Sequence, residues 1–136
     1  MSSYLNIYLQ EKGSEKKTLL TSYSRSTDMY QTVWEELNPA YIGMEGDHYT
    51  ELTVENLTQV INNLNDEISK HRNKLDYMEK IITQNADREM VQDILDLKEM
   101  IDDLKSVRQE LDFYKDIAED IRMEINGFSG IFCNID

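Results

Sequence analysis

The sequence is poor in residues that cross-link or interrupt a chain. One cysteine and one proline, with five glycines in 136 residues, exclude an intrachain disulfide and a long flexible linker. Lysine and arginine total 14 against 27 aspartates and glutamates, so the net charge is −13. Phosphate backbones are bound by cations that replace their counterions. We therefore expect no direct nucleic-acid binding.

Long apolar runs are also missing. No stretch reaches the ~18 consecutive apolar residues of a membrane-spanning helix. The first residues lack the basic and apolar regions of a signal peptide. Together with the single cysteine, these features predict one domain, no contact with a membrane and a cytoplasmic location.

Heptad spacing is the strongest pattern that the chain does contain. Between residues 53 and 83, apolar or near-apolar residues recur at alternating steps of four and three, at Leu57, Ile61, Leu64, Ile68, His71, Leu75, Met78 and Ile82. A second seam runs from Met90 to Leu104. A turn near 84–87 brings the seams together, with Ile82 opposite Met90 and Ile68 opposite Leu104. This predicts a long antiparallel helical hairpin, a coiled coil, over 53–126, capped by Thr53 and Asp87 and ended by Gly127.

The second seam changes after Leu104. Arg108 and Lys115 take positions where the heptad spacing calls for apolar residues, and Val107 and Tyr114 supply apolar groups beside them. We therefore expect the distal half, residues 68–104 and called the arm from here on, to be two-stranded. The remainder of the second helix is expected to enter a wider core.

Alternating residues precede the hairpin in residues 1–52, called the head. They predict two strands in a β-hairpin over 4–24, followed by a helix over 27–37 and an ordered loop over 39–52. Residues 127–136 alternate again and can add a third strand that packs on the head. The expected fold class is α+β, mostly α, with the small head carried by the long hairpin.

Few residues are arranged in patterns typical of catalysis or of metal or cofactor binding. His71 lies one turn after Glu67, but a metal site needs more ligands than the facing seam supplies, so we interpret His71 as a polar seam residue that fixes register. His48 has no nucleophile placed with it and is interpreted as a loop residue. Phosphate-binding glycine loops, Cys-x-x-Cys and Ser-His-Asp signatures are missing. We expect no enzyme activity, no catalytic residue, no metal and no cofactor.

The turn between the second strand and the short helix is the first candidate site. Hydroxyls, a guanidinium and free amides at a helix N-terminus can hold an anion, and this turn offers Ser24, Arg25, Ser26 and Thr27. Six tyrosines and Trp34 lie in the same head and offer faces for stacking. The alternative is that Ser26 and Thr27 only cap the helix, while the aromatics fill a small core.

The second candidate is the outer face of the arm on the second helix. Its carboxylates, called the acidic face, are Asp93, Asp96, Glu99, Asp102 and Asp103. Such a face suits a basic groove on a protein partner. Lys98 interrupts the carboxylates, which argues against strict imitation of DNA. A solvated face that only keeps the protein soluble is the alternative.

Three segments carry a family resemblance. SYLNIYL at 3–9, LLTSYSRSTDMYQ at 19–31 and ELNPAYIG at 36–43 resemble the N-terminal part of small accessory proteins encoded by bacteriophages and prophages of low-GC bacteria. The resemblance covers the first third of the chain, and it transfers no catalytic residues. It implies an accessory role in the cytoplasm of a host cell.

Three functions remain open. The first is a non-enzymatic inhibitor or modulator that binds a host or defence protein through the acidic face or the head. The second is a structural or scaffold protein that assembles with itself as a homodimer through off-seam apolar residues of the arm, among them Val91 and Leu95. The third is a small-ligand protein that binds a nucleotide with the aromatic head.

Overall fold

The computed structural model describes residues 3–41, 48–83 and 87–136. Strands β1 (Tyr4–Glu11) and β2 (Lys17–Ser24) come first, and helix α1 (Asp28–Thr32) continues as a π-helical segment (Val33–Leu37). Two short strands follow, β3 (Ala40–Tyr41) and β4 (His48–Glu51). Helices α2 (Val54–Ile82) and α3 (Arg88–Arg122) precede strand β5 (Phe128–Ile135). The fold is α+β and mostly helical, as the sequence predicted.

The sheet is larger than the three strands expected. Its order is β2-β1-β5-β4-β3, and the pairs are antiparallel. The C-terminal strand therefore lies between β1 and β4, because both of its edges find partners. The ordered loop predicted over 39–52 is wrong where it is described, since β3 and β4 pair as strands. Strands of two and four residues are too short to show an alternating pattern.

One face of the sheet carries the larger core, called the head cluster. Leu5, Ile7 and Leu9 of β1 are buried there, because alternate side chains of a strand point to one face. They pack against α1, α2, α3 and β5. Among the most buried members are Val33, Leu57, Leu111, Ile131, Cys133 and Ile135.

A smaller core, called the arm cluster, lies further along the two long helices. Its buried members are Ile68, Leu97 and Ile101, and Leu75 and Met78 pack beside them. These residues belong to the two predicted seams, and α2 packs against α3 in antiparallel orientation. Residues 84–86, where the turn was centred, lie outside the described part of the chain.

The helix starts follow from their caps. The Thr53 hydroxyl accepts a hydrogen bond from the Asn56 amide, and the Asn56 side chain accepts one from the Thr53 amide, which forms a capping box. The Asp87 carboxylate accepts from the Glu89 amide and so caps α3. Both caps are those that the sequence predicted.

The end of α3 differs from the prediction. The helix ends at Arg122 rather than 126, and Glu124, not Gly127, adopts the left-handed conformation with φ of 58°. The Glu124 amide donates to the Ile121 carbonyl and the Ile125 amide to the Asp120 carbonyl. This pattern is a Schellman motif with glutamate where glycine is usual. Sequence reasoning chose Gly127 because glycine fits that conformation without a steric cost.

Candidate functional site

Most polar groups of the predicted anion-binding turn, residues 24–27, form hydrogen bonds within the turn or to the start of α1. Thr27 caps α1, since its hydroxyl accepts from the Tyr30 amide and donates to the Ser24 carbonyl. The Ser24 and Ser26 hydroxyls lie 3.0 Å apart and share a hydrogen bond. The Gln31 side chain donates to the Arg25 carbonyl. The hydroxyls are thus engaged within the turn, and the exposed Arg25 guanidinium is the side-chain group of the turn that is left to contact a ligand.

A cleft of ≈ 300 Å³ adjoins this turn. Its lining combines the head aromatics with polar groups: Ser3, Arg25, Tyr30, Gln31, Trp34, His48, Ile135 and Asp136. The structure thus brings Arg25 next to Trp34, but it also places a carboxylate, that of Asp136, in the same wall. A mixed lining of this kind suits a ligand with both charges better than a simple anion. Binding by the turn itself stays a prediction.

His48 is placed differently from the loop residue expected. It lies on β4, and its ring meets Trp34 edge-on with centroids 4.7 Å apart. Its position depends on pairing between β4 and β5, two segments distant in sequence. No local sequence pattern could therefore have predicted that His48 lines the same cleft as Arg25.

The head tyrosines do not converge on one site. The Tyr30 side chain is buried in the head cluster and its hydroxyl lies 2.7 Å from the Ser3 hydroxyl. The Tyr23 hydroxyl lies 2.7 Å from that of Tyr114, which joins β2 to α3. Burial raises the pKa of both Tyr23 and Tyr114, so both stay neutral phenols. This pair is structural.

An aromatic row lies on the opposite face of the sheet. Tyr49 stacks on Phe132 with centroids 5.4 Å apart, and Tyr8 lies 6.4 Å from Phe132 on the other side. The Lys17 ammonium sits 5.1 Å above the Tyr8 ring, close enough for a cation–π contact. Burial raises the pKa of Tyr49 to about 12. The alternation of β1 alone predicts that Tyr8 lies on this face. The row as a whole could be predicted only if the order of the strands in the sheet were known.

Gly130 fits under this row. A side chain at Gly130 would place its Cβ 2.6 Å from the Phe132 ring, which is far inside van der Waals contact. The ring therefore covers the backbone where a side chain is absent, a known way of protecting a glycine within a strand.

The carboxylates of the acidic face lie at the surface of the arm. The side chains of Asp93, Asp96, Glu99, Asp102 and Asp103 are all solvent-exposed. None of them has an ion-pair partner among the described residues; Asp96 accepts a hydrogen bond from Gln92. Lys98, the interrupting cation, lies 3.7 Å from Glu79 of α2. Its charge is thus directed across the hairpin. Lys74 of α2 lines a groove with Asp93 and Asp96, so one cation lies beside the N-terminal end of the face.

His71 lies on the seam, half-buried, with its Nε2 atom 3.6 Å from a Glu67 carboxylate oxygen. That distance is too long for a hydrogen bond, and the buried nitrogen has no partner. In the described ranges, no group of three or more histidine, cysteine or acidic side chains is placed to hold a metal ion. The geometry is that of a polar residue tolerated in an apolar seam.

Comparisons with protein-family models, with curated proteins and with solved structures found no match for this chain. The resemblance of the first third to phage accessory proteins therefore stays a prediction. Of the helices that are described, none has the length and apolar character to cross a membrane.

Proposed function

We propose that this chain is a non-enzymatic, phage-type accessory protein that binds a basic surface of a host or defence protein through the acidic face. The observation that carries this proposal is that the five carboxylates of that face have no ion pairs among the described residues. From Glu89 to Leu104 the sequence has one cation, Lys98, and that cation pairs with Glu79. Carboxylates without an ion-pair partner attract a cationic surface over distances comparable to the Debye length.

Apolar side chains beside the carboxylates supply the second element of an interface. Val91 is 41% exposed and Leu95 is 53% exposed, one helical turn apart on α3. Charged contacts at a rim mostly set the association rate, whereas buried apolar anchors supply most of the affinity. An acidic face with exposed apolar residues therefore suits protein binding better than solubility alone.

A capture experiment with matched charge variants tests this proposal. In one variant all five residues of the acidic face become amides. In the control, five exposed acids elsewhere become amides: Glu11, Glu15, Glu35, Asp112 and Asp116. Both variants have the same net charge, so a difference between them reports position rather than total charge.

From a lysate of a low-GC bacterium, the wild type and the control should capture the same protein, and the acidic-face variant should not. Capture should weaken steeply between about 0.1 and 1 M salt, because the Debye length falls from ~10 to ~3 Å. Equal capture by both variants, or no captured protein at all, contradicts the proposal.

Self-assembly is the second candidate, and the same apolar residues favour it. Tyr77 of α2 is 67% exposed on the arm, in addition to Val91 and Leu95. If these residues form a dimer face, light scattering will give twice the monomer mass, and Leu95→Asp will restore the monomer. A wild-type monomer at high concentration rules this candidate out.

A further inference from the structure

A groove between the two long helices has a charge opposite to that of the rest of the molecule. It measures ≈ 450 Å³ and is lined by Asn65, Ile68, Ser69 and Arg72 of α2 and by Lys105 and Arg108 of α3. We call it the basic groove. Its lining contains three cations and no carboxylate, in a chain whose net charge is −13.

The three cations lack carboxylate partners. The ion pairs between lysine or arginine and acidic side chains of the described residues join Lys12 to Glu124, Lys98 to Glu79 and Arg122 to Glu55. Arg72, Lys105 and Arg108 take part in none of these. With acids about twice as frequent as bases, three neighbouring cations without a carboxylate are not the arrangement that a folded acidic chain needs for its own stability.

Arg108 is held in place by a neutral group. Its Nη1 atom donates to the Asn65 side-chain oxygen over 2.8 Å. The contact fixes the guanidinium at the groove but leaves its charge uncompensated. A guanidinium has five N–H donors, so the others remain for a ligand. The Asn65 amide nitrogen and the Ser69 hydroxyl add neutral donors on the facing wall.

The position of Arg108 is also unfavourable for packing. It occupies the seam between Leu104 and Leu111, where heptad spacing calls for an apolar residue, and it is half-buried. The head cluster ends beside it at Leu64 and Val107, and the arm cluster begins at Ile68 and Ile101. Leu104, one helical turn before Arg108, packs against both clusters. A leucine at position 108 would extend this apolar contact, so folding alone does not account for the arginine.

We propose that the basic groove binds a phosphate group carried by a small molecule. Arginines grip phosphate through paired N–H donors, and lysine adds a point charge. The buried Ile68 forms an apolar floor, and the groove admits one phosphate group with a small body attached. The acidic helices on either side repel a polyanion, which favours a small phosphomonoester or phosphate itself over a nucleic acid.

Titration with inorganic phosphate tests this site, at an ionic strength kept constant with sodium chloride. We expect a dissociation constant of about 1 mM and a Tm about 5 °C higher at about 20 mM phosphate. Arg72→Gln, on an exposed residue, should weaken binding about tenfold. The triple variant Arg72→Gln/Lys105→Gln/Arg108→Gln should show no phosphate-dependent rise in Tm.

The Arg88→Gln variant is the matched control, because Arg88 is an exposed arginine at the first residue of α3, several turns from Lys105 and Arg108, and has no ion pair in the described part. It should bind phosphate as the wild type does. Circular dichroism will show whether the triple variant keeps its helices. If it does not, the phosphate affinity of Arg72→Gln alone tests the proposal. A parallel titration with adenosine monophosphate distinguishes recognition of a nucleotide from recognition of the phosphate group alone. Binding much tighter than phosphate indicates a nucleotide, and equal binding indicates the phosphate group alone. No binding by the wild type, or equal shifts in the wild type and Arg72→Gln, overturns the proposal.

Discussion

Two substitutions in the long helices can decide whether the head and the arm unfold separately. Leu111 is 0% exposed and belongs to the head cluster, whereas Ile101 belongs to the arm cluster. Replacing either by alanine removes buried methyl groups and leaves a cavity, at a cost of about 2–5 kcal/mol. The two changes thus remove a similar amount of packing free energy, but Leu111→Ala removes it from the head cluster and Ile101→Ala from the arm cluster.

The predicted difference follows from the two clusters. Leu111→Ala weakens the core that joins the sheet to all three helices, so it should lower the Tm of the whole protein by about 10 °C for a loss of about 3 kcal/mol. Ile101→Ala weakens only a small cluster of two helices. It should let the arm open locally while the head stays folded.

Trp34 provides the assay. It is the only tryptophan and lies in the π-helical segment of the head, so its fluorescence reports the head. Far-ultraviolet circular dichroism reports mainly α2 and α3. For Ile101→Ala the dichroism signal should fall at a lower denaturant concentration than the fluorescence signal; for Leu111→Ala the two should coincide.

A shortened chain gives an independent check. Deleting residues 74–98 removes Leu75, Met78 and Leu97 from the arm cluster and leaves the head cluster intact, so the Trp34 transition should persist. The reasoning fails if Ile101→Ala lowers the Trp34 midpoint as much as Leu111→Ala does. In that case the hairpin and head form a single cooperative unit.

Three further predictions concern single residues. His71→Leu should stabilise the protein by about 1–2 kcal/mol in urea denaturation, because a buried nitrogen without a partner is replaced by an apolar group; a loss of stability contradicts the seam interpretation. Glu124→Gly should raise stability by about 0.5–1 kcal/mol, since the residue has φ of 58°, and Asp120→Gly at a helical position should lower it. Burial raises the pKa of the Cys133 thiol from 9.0 to about 12, so the unfolded chain loses this proton first. Stability is therefore retained below pH 9 and falls by up to about 4 kcal/mol towards pH 12; Cys133→Ala should flatten this decline, and an unchanged slope would show that other groups cause it.

The features predicted correctly from sequence are those that local spacing determines. Heptad positions such as Ile68 and Leu97 identify the packed faces of the two helices, and Thr53 and Asp87 mark their starts. β1 was readable because Leu5, Ile7 and Leu9 alternate with polar or aromatic residues. Each of these patterns involves residues of a single helix or strand.

The features that sequence reasoning missed depend on which elements become neighbours. The central place of β5 and the pairing of β4 follow from hydrogen bonds between segments far apart in the chain, and no local pattern encodes them. The same holds for the cleft that joins Arg25 to His48. Arg108 and Lys115 were visible as breaks in the seam, but only the structure shows that Arg108 faces Asn65 across a basic groove.

The place of β5 has a consequence for synthesis on the ribosome. Asn6 of β1 and Asn134 of β5 are hydrogen-bonded although 128 positions separate them, so the head has a high contact order. As the nascent chain emerges, β1 and β2 can pair early, but the free edge of β1 and the apolar side chains beneath it have no cover until β5 has left the exit tunnel. The long helices, whose contacts are mostly local, can form while translation continues. Folding of the head therefore waits for the synthesis of β5, and until then the exposed β-hairpin is the part most in need of a chaperone.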